Sequence, residues 1–130
     1  MDLGLRDRVA IVAAGSKGLG RAVAEELAAE GAAVVICARG REALDATSAE
    51  IQRRGGRAHG VVADVSNVDD IARVVAAATR VFGAVDILVT NSGGPRAGRF
   101  ETLTPEDWDA AARVLLTSAV TFTRAVLPGM

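Results

Sequence analysis

Tyrosine is absent from this 130-residue sequence, and cysteine, histidine, tryptophan and lysine occur once each. The single cysteine, Cys37, excludes an internal disulfide and leaves no Cys-x-x-Cys pair for zinc, which fits a reducing cytoplasm. A lone histidine, His59, offers neither a metal-ligand cluster nor a nucleophile–base pair, and reads as structural. Without tyrosine there is no phenol to act as a proton donor. The net charge is -1, so no basic excess suits nucleic-acid phosphates. Every apolar run falls well short of the ~18 residues of a membrane span. The N-terminal "MDLGLRDR" lacks the apolar core of a secretory signal. The chain is therefore expected to be cytoplasmic, with no nucleic-acid or membrane partner.

Half of the residues are hydrophobic, enough for a buried core in one domain of this size. No repeat, low-complexity segment or linker divides the chain, so residues 1–130 read as one domain. Short apolar runs alternate with longer periodic segments. "VAIVAA" (Val9–Ala14), "AVVICA" (Ala33–Ala38), "GVVA" (Gly60–Ala63) and "VDILVTN" (Val85–Asn91) predict strands. They lack strict alternation, as do strands buried on both faces of a parallel sheet. Leu19, Val23 and Leu27 predict one helical face, and Leu44, Thr47 and Ile51 a second. Val68, Ile71, Ala72, Val75 and Phe82 predict a third, capped by Ser66. A fourth helix starts at "TPEDW", with Thr104 as cap, Pro105 at the first helical position and Asp107 at the third. Its apolar face is expected to run through Trp108, Ala112, Leu115, Ala119, Phe122 and Val126.

The order βαβαβαβα gives a Rossmann-like, doubly wound α/β fold with strand order 3-2-1-4. Such sheets bind ligands where the winding reverses, here between the first and fourth strands. Both loops that meet there are rich in glycine: "AAGSKGLG" (Ala13–Gly20) and "TNSGGPRAG" (Thr90–Gly98). Glycines at a strand-to-helix turn let the backbone approach a ligand and reach positive φ. The helix that follows offers free N–H groups and its positive dipole end, and Lys17 adds a full charge. A phosphate or pyrophosphate is the expected guest, with tight packing of the turn as the alternative. In a dinucleotide fold an acidic residue near the end of the second strand holds the ribose 2′-hydroxyl of NAD. Arg39 stands there instead, and arginine pairs with a 2′-phosphate. That favours NADP(H) over NAD(H).

Together these residues resemble the N-terminal half of the short-chain dehydrogenase/reductase family, most like its 3-oxoacyl-[acyl-carrier-protein] reductase members. The family's T-G-x-x-x-G-x-G turn is matched at Gly18 and Gly20, whereas Ala13 and Ala14 replace its Thr-Gly and Gly15 falls one position late. Asp64 and Val65 match its adenine-contacting D-V pair, and "NSGG" (Asn91–Gly94) loosely matches its N-N-A-G motif. "EDW" and "LP" around the fourth helix are similar too. The resemblance implies that the turn Gly15–Gly20 serves the cofactor, with Gly18, Leu19 and Gly20 at the pyrophosphate. It places Ser16, Lys17 and Arg39 at the 2′-phosphate, and Asn91, Ser92 and Gly93 at the nicotinamide-side ribose. It implies hydride transfer between NADP(H) and a carbonyl or alcohol, such as a 3-oxoacyl thioester, in a homo-oligomer.

The family's catalytic serine, tyrosine and lysine would lie beyond Met130, so no catalytic residue is assigned among residues 1–130. Leu115 stands where many members carry a catalytic asparagine in "W-D-x-x-x-x-x-N-L-T". Two expectations therefore stand side by side. One is the cofactor half of a longer reductase, inactive alone. The other is a catalytically silent nucleotide-binding or interaction module. Cys37 is expected in the core, Trp108 in packing, and Arg96 and Arg99 on a solvated loop.

Overall fold

The computed structural model describes residues 1–130 and has four strands and five helices. In chain order they are β1 (Val9–Ala13), α1 (Gly18–Ala29), β2 (Ala33–Ala38), α2 (Arg41–Arg53), β3 (Arg57–Val62), α3 (Val68–Val81) and β4 (Ile87–Val89). α4 (Pro105–Ala112) and α5 (Ser118–Val126) follow, joined by a π-helical turn at Arg113–Thr117. The sheet is parallel with order β3-β2-β1-β4, as the alternation predicts.

β1 and β2 are buried on both faces, which is why neither alternates. Val12, Val34 and Ile36 pack in one core with Ala24 and Ala28 of α1 and Leu44 and Ile51 of α2. Ile11, Val35 and Cys37 pack in a second core with Ile71, Val74 and Ala78 of α3 and Phe122 and Val126 of α5. Each fully buried aliphatic side chain contributes roughly 1.5–3 kcal/mol. Two helical layers thus clamp the sheet and fix the register in which the βα loops emerge on one edge.

The helical faces depart from the pattern in instructive ways. α1 buries Gly20, Ala24 and Ala28, while Leu19 is 82% exposed and Val23 is exposed as well. Small residues let the helix lie close to the sheet, so the row that packs is not the most hydrophobic one. In α3 the buried row is Ile71, Val74, Ala77 and Ala78, and Val68 and Ala72 face outward. Its cap is Asn67, whose Oδ1 accepts from the amides of Asp69 and Asp70, because the Ser66 hydroxyl is engaged by Asp64. α4 has the expected capping box between Thr104 and Asp107. Its apolar stripe, however, is buried only from Ser118 onward, through Phe122 and Val126. Trp108 and Leu115 are exposed, Trp108 meeting Phe100 edge-on with ring centroids 5.9 Å apart.

β4 spans three half-buried residues, shorter than the sequence suggests, and is tied to β1 at its start by the Asp86 carboxylate, which accepts from the Val9 amide at 2.9 Å. Although no continuous apolar run reaches membrane length, the helical stretch Pro105–Gly129 does so by length and mean hydropathy, 1.3 over its best window. It carries Glu106, Asp107, Asp109, Arg113 and Arg124 and docks on the sheet through α5.

Candidate functional site

The loops after β1, β2, β3 and β4 surround one groove of about 520 Å3 at the carboxyl edge of the sheet. Its lining includes Ser16, Lys17, Gly18 and Leu19 from the first loop, Arg39 from the second, Asp64 and Val65 from the third, and Asn91, Ser92 and Gly93 from the fourth. The structure therefore brings these ten expected residues to one place. Gly15 and Gly20, expected with them, do not line the groove. They make its shape possible from behind. A Cβ at Gly15 would lie 2.8 Å from Ile36 Cγ2, and one at Gly20 would run into the Ala14 carbonyl oxygen and lie 2.8 Å from Asn91 Nδ2. Gly18 differs from both: it has φ +53° and open space where a Cβ would go. That space is a cradle only a residue without a side chain leaves free.

The first turn of α1 is left chemically open. Its cap residue Lys17 supplies no side-chain acceptor, and the turn holds no acidic residue. α3 and α4, by contrast, have side-chain caps and two acidic residues each in their first turns. Up to four amides per helix start lack an internal partner, so those of α1 face the groove as donors. The helix dipole and the Lys17 ammonium add positive potential for an anion.

Around this turn the loops are fastened by named bonds. Gly15 donates its amide to the Cys37 carbonyl at 3.2 Å, and the buried Thr47 hydroxyl donates to the Ser16 carbonyl at 3.2 Å. Asn91 Nδ2 donates to the Ala14 carbonyl at a long 3.5 Å, joining the fourth loop to the first. Asp64 Oδ1 accepts from both the amide and the hydroxyl of Ser66, at 2.9 and 2.7 Å. These bonds, with a smaller contribution from the nearby Arg39 charge, hold the Asp64 carboxyl below its usual range. Asp64 is thus an ionised acceptor at the groove at neutral pH. Arg96 is exposed on the fourth loop, as expected, and pairs there with Asp107 at the start of α4 at 2.9 Å.

The sequence pattern missed several members of the lining: Ala14, Cys37, Ala38, Gly40, Ala63, Gly94 and Val114. Most sit beside an expected residue and needed only the fold to be found. Val114 comes from the π-helical turn, which no periodicity announces.

Residues 8–130 match the short chain dehydrogenase family. The chain belongs to that family. Among its curated relatives, dehydrogenase/reductase SDR family member 4 of Sus scrofa is 39% identical over 127 residues, 97% of this chain and 46% of the relative. A putative ketoacyl reductase of Streptomyces coelicolor is 38% identical over 119 residues, 92% of this chain and 46% of that protein. Among solved structures, L-sorbose reductase from Gluconobacter frateurii, complexed with NADPH and L-sorbose, superposes with a TM-score of 0.95 at 33% identity, covering 100% of this chain and 50% of that one. The chain thus spans about half the length of these short-chain dehydrogenase relatives.

Proposed function

We propose that residues 1–130 form the cofactor half of an NADP(H)-dependent oxidoreductase acting on a small-molecule carbonyl or alcohol. The observation that carries this is that two exposed cations, Lys17 and Arg39, line one groove together with an uncapped helix N-terminus. The residues present fit the dinucleotide. The open space at Gly18 and the free amides of α1 suit a pyrophosphate, and Asp64 with Val65 suits an adenine edge. Lys17, Ser16 and Arg39 would hold the 2′-phosphate, while Asn91, Ser92 and Gly93 would hold the nicotinamide-side ribose. When bound, the nicotinamide supplies the hydride that a carbonyl carbon accepts. The chain's own contribution is to bind and orient. Gly93, Gly94 and Val114, which also line the groove, carry no group that can move a proton. The serine, tyrosine and lysine that handle the proton in this family would come from chain beyond Met130.

A 3-oxoacyl thioester is the finer substrate reading, supported by resemblance to ketoacyl reductases. A homo-oligomer in the cytoplasm is the matching assembly. The other reading is a catalytically silent nucleotide-binding or interaction module. Calorimetric titration with NADPH and NADH tests the proposal. Tighter binding of NADPH supports it, and binding of neither dinucleotide refutes it. NADPH oxidation with carbonyl substrates, assayed on chains ending at Met130 and on longer ones, separates the two readings.

A further inference from the structure

α3 and α4 both carry an aspartate at the third helical position, and they use it differently. In α4, Asp107 accepts from the amide of its own cap, Thr104, at 2.9 Å. In α3 the amide of the cap, Asn67, is already engaged by the Asp64 carbonyl at 3.0 Å. Asp70 reaches past it, and its Oδ2 accepts from the Asp64 amide at 2.8 Å.

Arg73, one helical turn on, completes the arrangement. Its Nη2 donates to Asp70 Oδ1 at 3.0 Å and to the Val62 carbonyl at 2.8 Å. The ion pair thus grips the main chain on either side of Ala63, whose own amide donates to the Ala38 carbonyl at 2.9 Å. β3 ends at Val62, so the grip falls where the chain leaves the sheet for the groove. The Asp64 amide and the Arg73 guanidinium hold the Asp70 carboxyl below its usual range, so it is ionised at neutral pH. Docking of α3 does not depend on the pair, because the helix packs through Ile71, Val74, Ala77 and Ala78. What the grip fixes is Asp64, whose Oδ1 is engaged by Ser66 while its Oδ2 has no partner.

We propose that Asp70 and Arg73 are positioning residues for the base end of the ligand, holding the loop after β3 so that the unpartnered Asp64 oxygen is kept for a purine amino group. This rests on the groove being the NADP(H) site. Neither residue lines the groove; both act through the main chain of residues 62–64.

The test is calorimetric titration of the unsubstituted chain, Asp70→Ala and Asp70→Asn, with thermal unfolding as the check on folding. The ligands are NADPH and its deaminated analogue, reduced nicotinamide hypoxanthine dinucleotide phosphate. Deamination turns the donor that Asp64 would meet into an acceptor. The unsubstituted chain should therefore prefer NADPH by at least about tenfold, the factor for one hydrogen bond to a charged group. Asp70→Ala should cut that preference to about threefold, the value for a freed loop that keeps its place about a fifth of the time while the rest of the dinucleotide still binds. NADPH binding should weaken and binding of the analogue should hardly change. Asp70→Asn keeps an acceptor for the Asp64 amide and should keep most of the preference. A merely structural role would not move the choice between two bases. If Asp70→Ala keeps the full preference, or Asp70→Asn loses as much as Asp70→Ala, the proposal is overturned while the cofactor reading stands. Should Asp70→Ala fail to fold, Arg73→Ala is read in its place: a lower preference supports the proposal and an unchanged one overturns it. Equal binding of the two ligands by the unsubstituted chain overturns the proposal alone. Binding of neither removes the cofactor reading and the proposal with it.

Discussion

Replacing Arg39 by aspartate is the sharpest perturbation of the NADP(H) reading. Arg39 is exposed at the end of β2 and faces the same groove as Lys17. A hydrogen bond to a charged group contributes about 1.5–3 kcal/mol. Solvent around Arg39 favours the lower part of that range, because charges in water are screened. The Asp64 carboxylate lowers it further, since Arg39 already interacts with that charge in the free chain. A loss of about 1.5–2 kcal/mol, or roughly 10- to 30-fold in the NADPH dissociation constant, is expected for Arg39→Ala. Lys17 remains, so some preference for NADPH should survive. Arg39→Asp adds repulsion of a 2′-phosphate and an acceptor for a free 2′-hydroxyl, and should invert the preference. Calorimetry with NADPH and NADH at about 0.05 and 0.5 M salt reads all of this, because the Debye length shortens from over 10 Å to under 5 Å. The NADPH advantage of the unsubstituted chain should shrink with salt while NADH binding hardly moves. Equal dissociation constants for the two cofactors, before any substitution, would refute the reasoning.

Gly20→Ala should destabilise the fold by about 1–3 kcal/mol in urea unfolding, because the new Cβ meets the Ala14 carbonyl and Asn91. A Cβ at Gly18 meets no atom, but φ +53° strains any side chain there, so Gly18→Ala should still unfold cooperatively, at a somewhat lower Tm, and lose NADPH binding; normal binding would make the turn a packing feature only. Burial raises the Cys37 thiol from 9.0 to about 11, so the folded chain holds that proton more tightly than the unfolded one. The resulting stability is intact below about pH 9 and is lost as the pH rises from 9 towards 11, by up to roughly 2–3 kcal/mol. Cys37→Ala should flatten that step in denaturation series at pH 8 and 10.5. A chain ending at Met130 should self-associate in sedimentation, since Leu115, Leu116, Val120 and Leu127 are 49%, 65%, 48% and 57% exposed on one helical stretch. A monodisperse monomer would contradict this.

Much of the fold was legible because its signals are local. Unbroken apolar runs mark β1 and β2 as doubly buried, and the βα alternation orders the sheet. Leu44, Thr47 and Ile51 are fully on the core side of α2, as their spacing predicts. The groove followed from topology, since glycine-rich loops after β1 and β4 can only meet at the reversal of winding. What was not legible depended on distances between elements. Hydrophobicity pointed to Leu19 and Val23 as the inner face of α1. The sheet instead accepts Gly20, Ala24 and Ala28, because the helix must lie close enough to aim its first turn into the groove. Ser66 and Asn67 are both good caps by type, and only the position of Asp64 decides between them.

The π-helical turn is the case with the most consequence for chemistry. A helix advances about 100° per residue, so a turn that holds one extra residue rotates everything beyond it by that angle. A single periodic stripe from Trp108 to Val126 therefore cannot stay on one side. Its second half, Phe122 and Val126, packs on the sheet, while Trp108 and Leu115 face outward. Val114 is the residue this turn delivers to the groove, with its carbonyl held by the Ser118 hydroxyl. The asparagine expected from family resemblance is thus replaced twice over: Leu115 lacks a polar group, and a valine forms the nearby wall. Neither Leu115 nor Val114 carries a group that can pass a proton to a substrate in the groove.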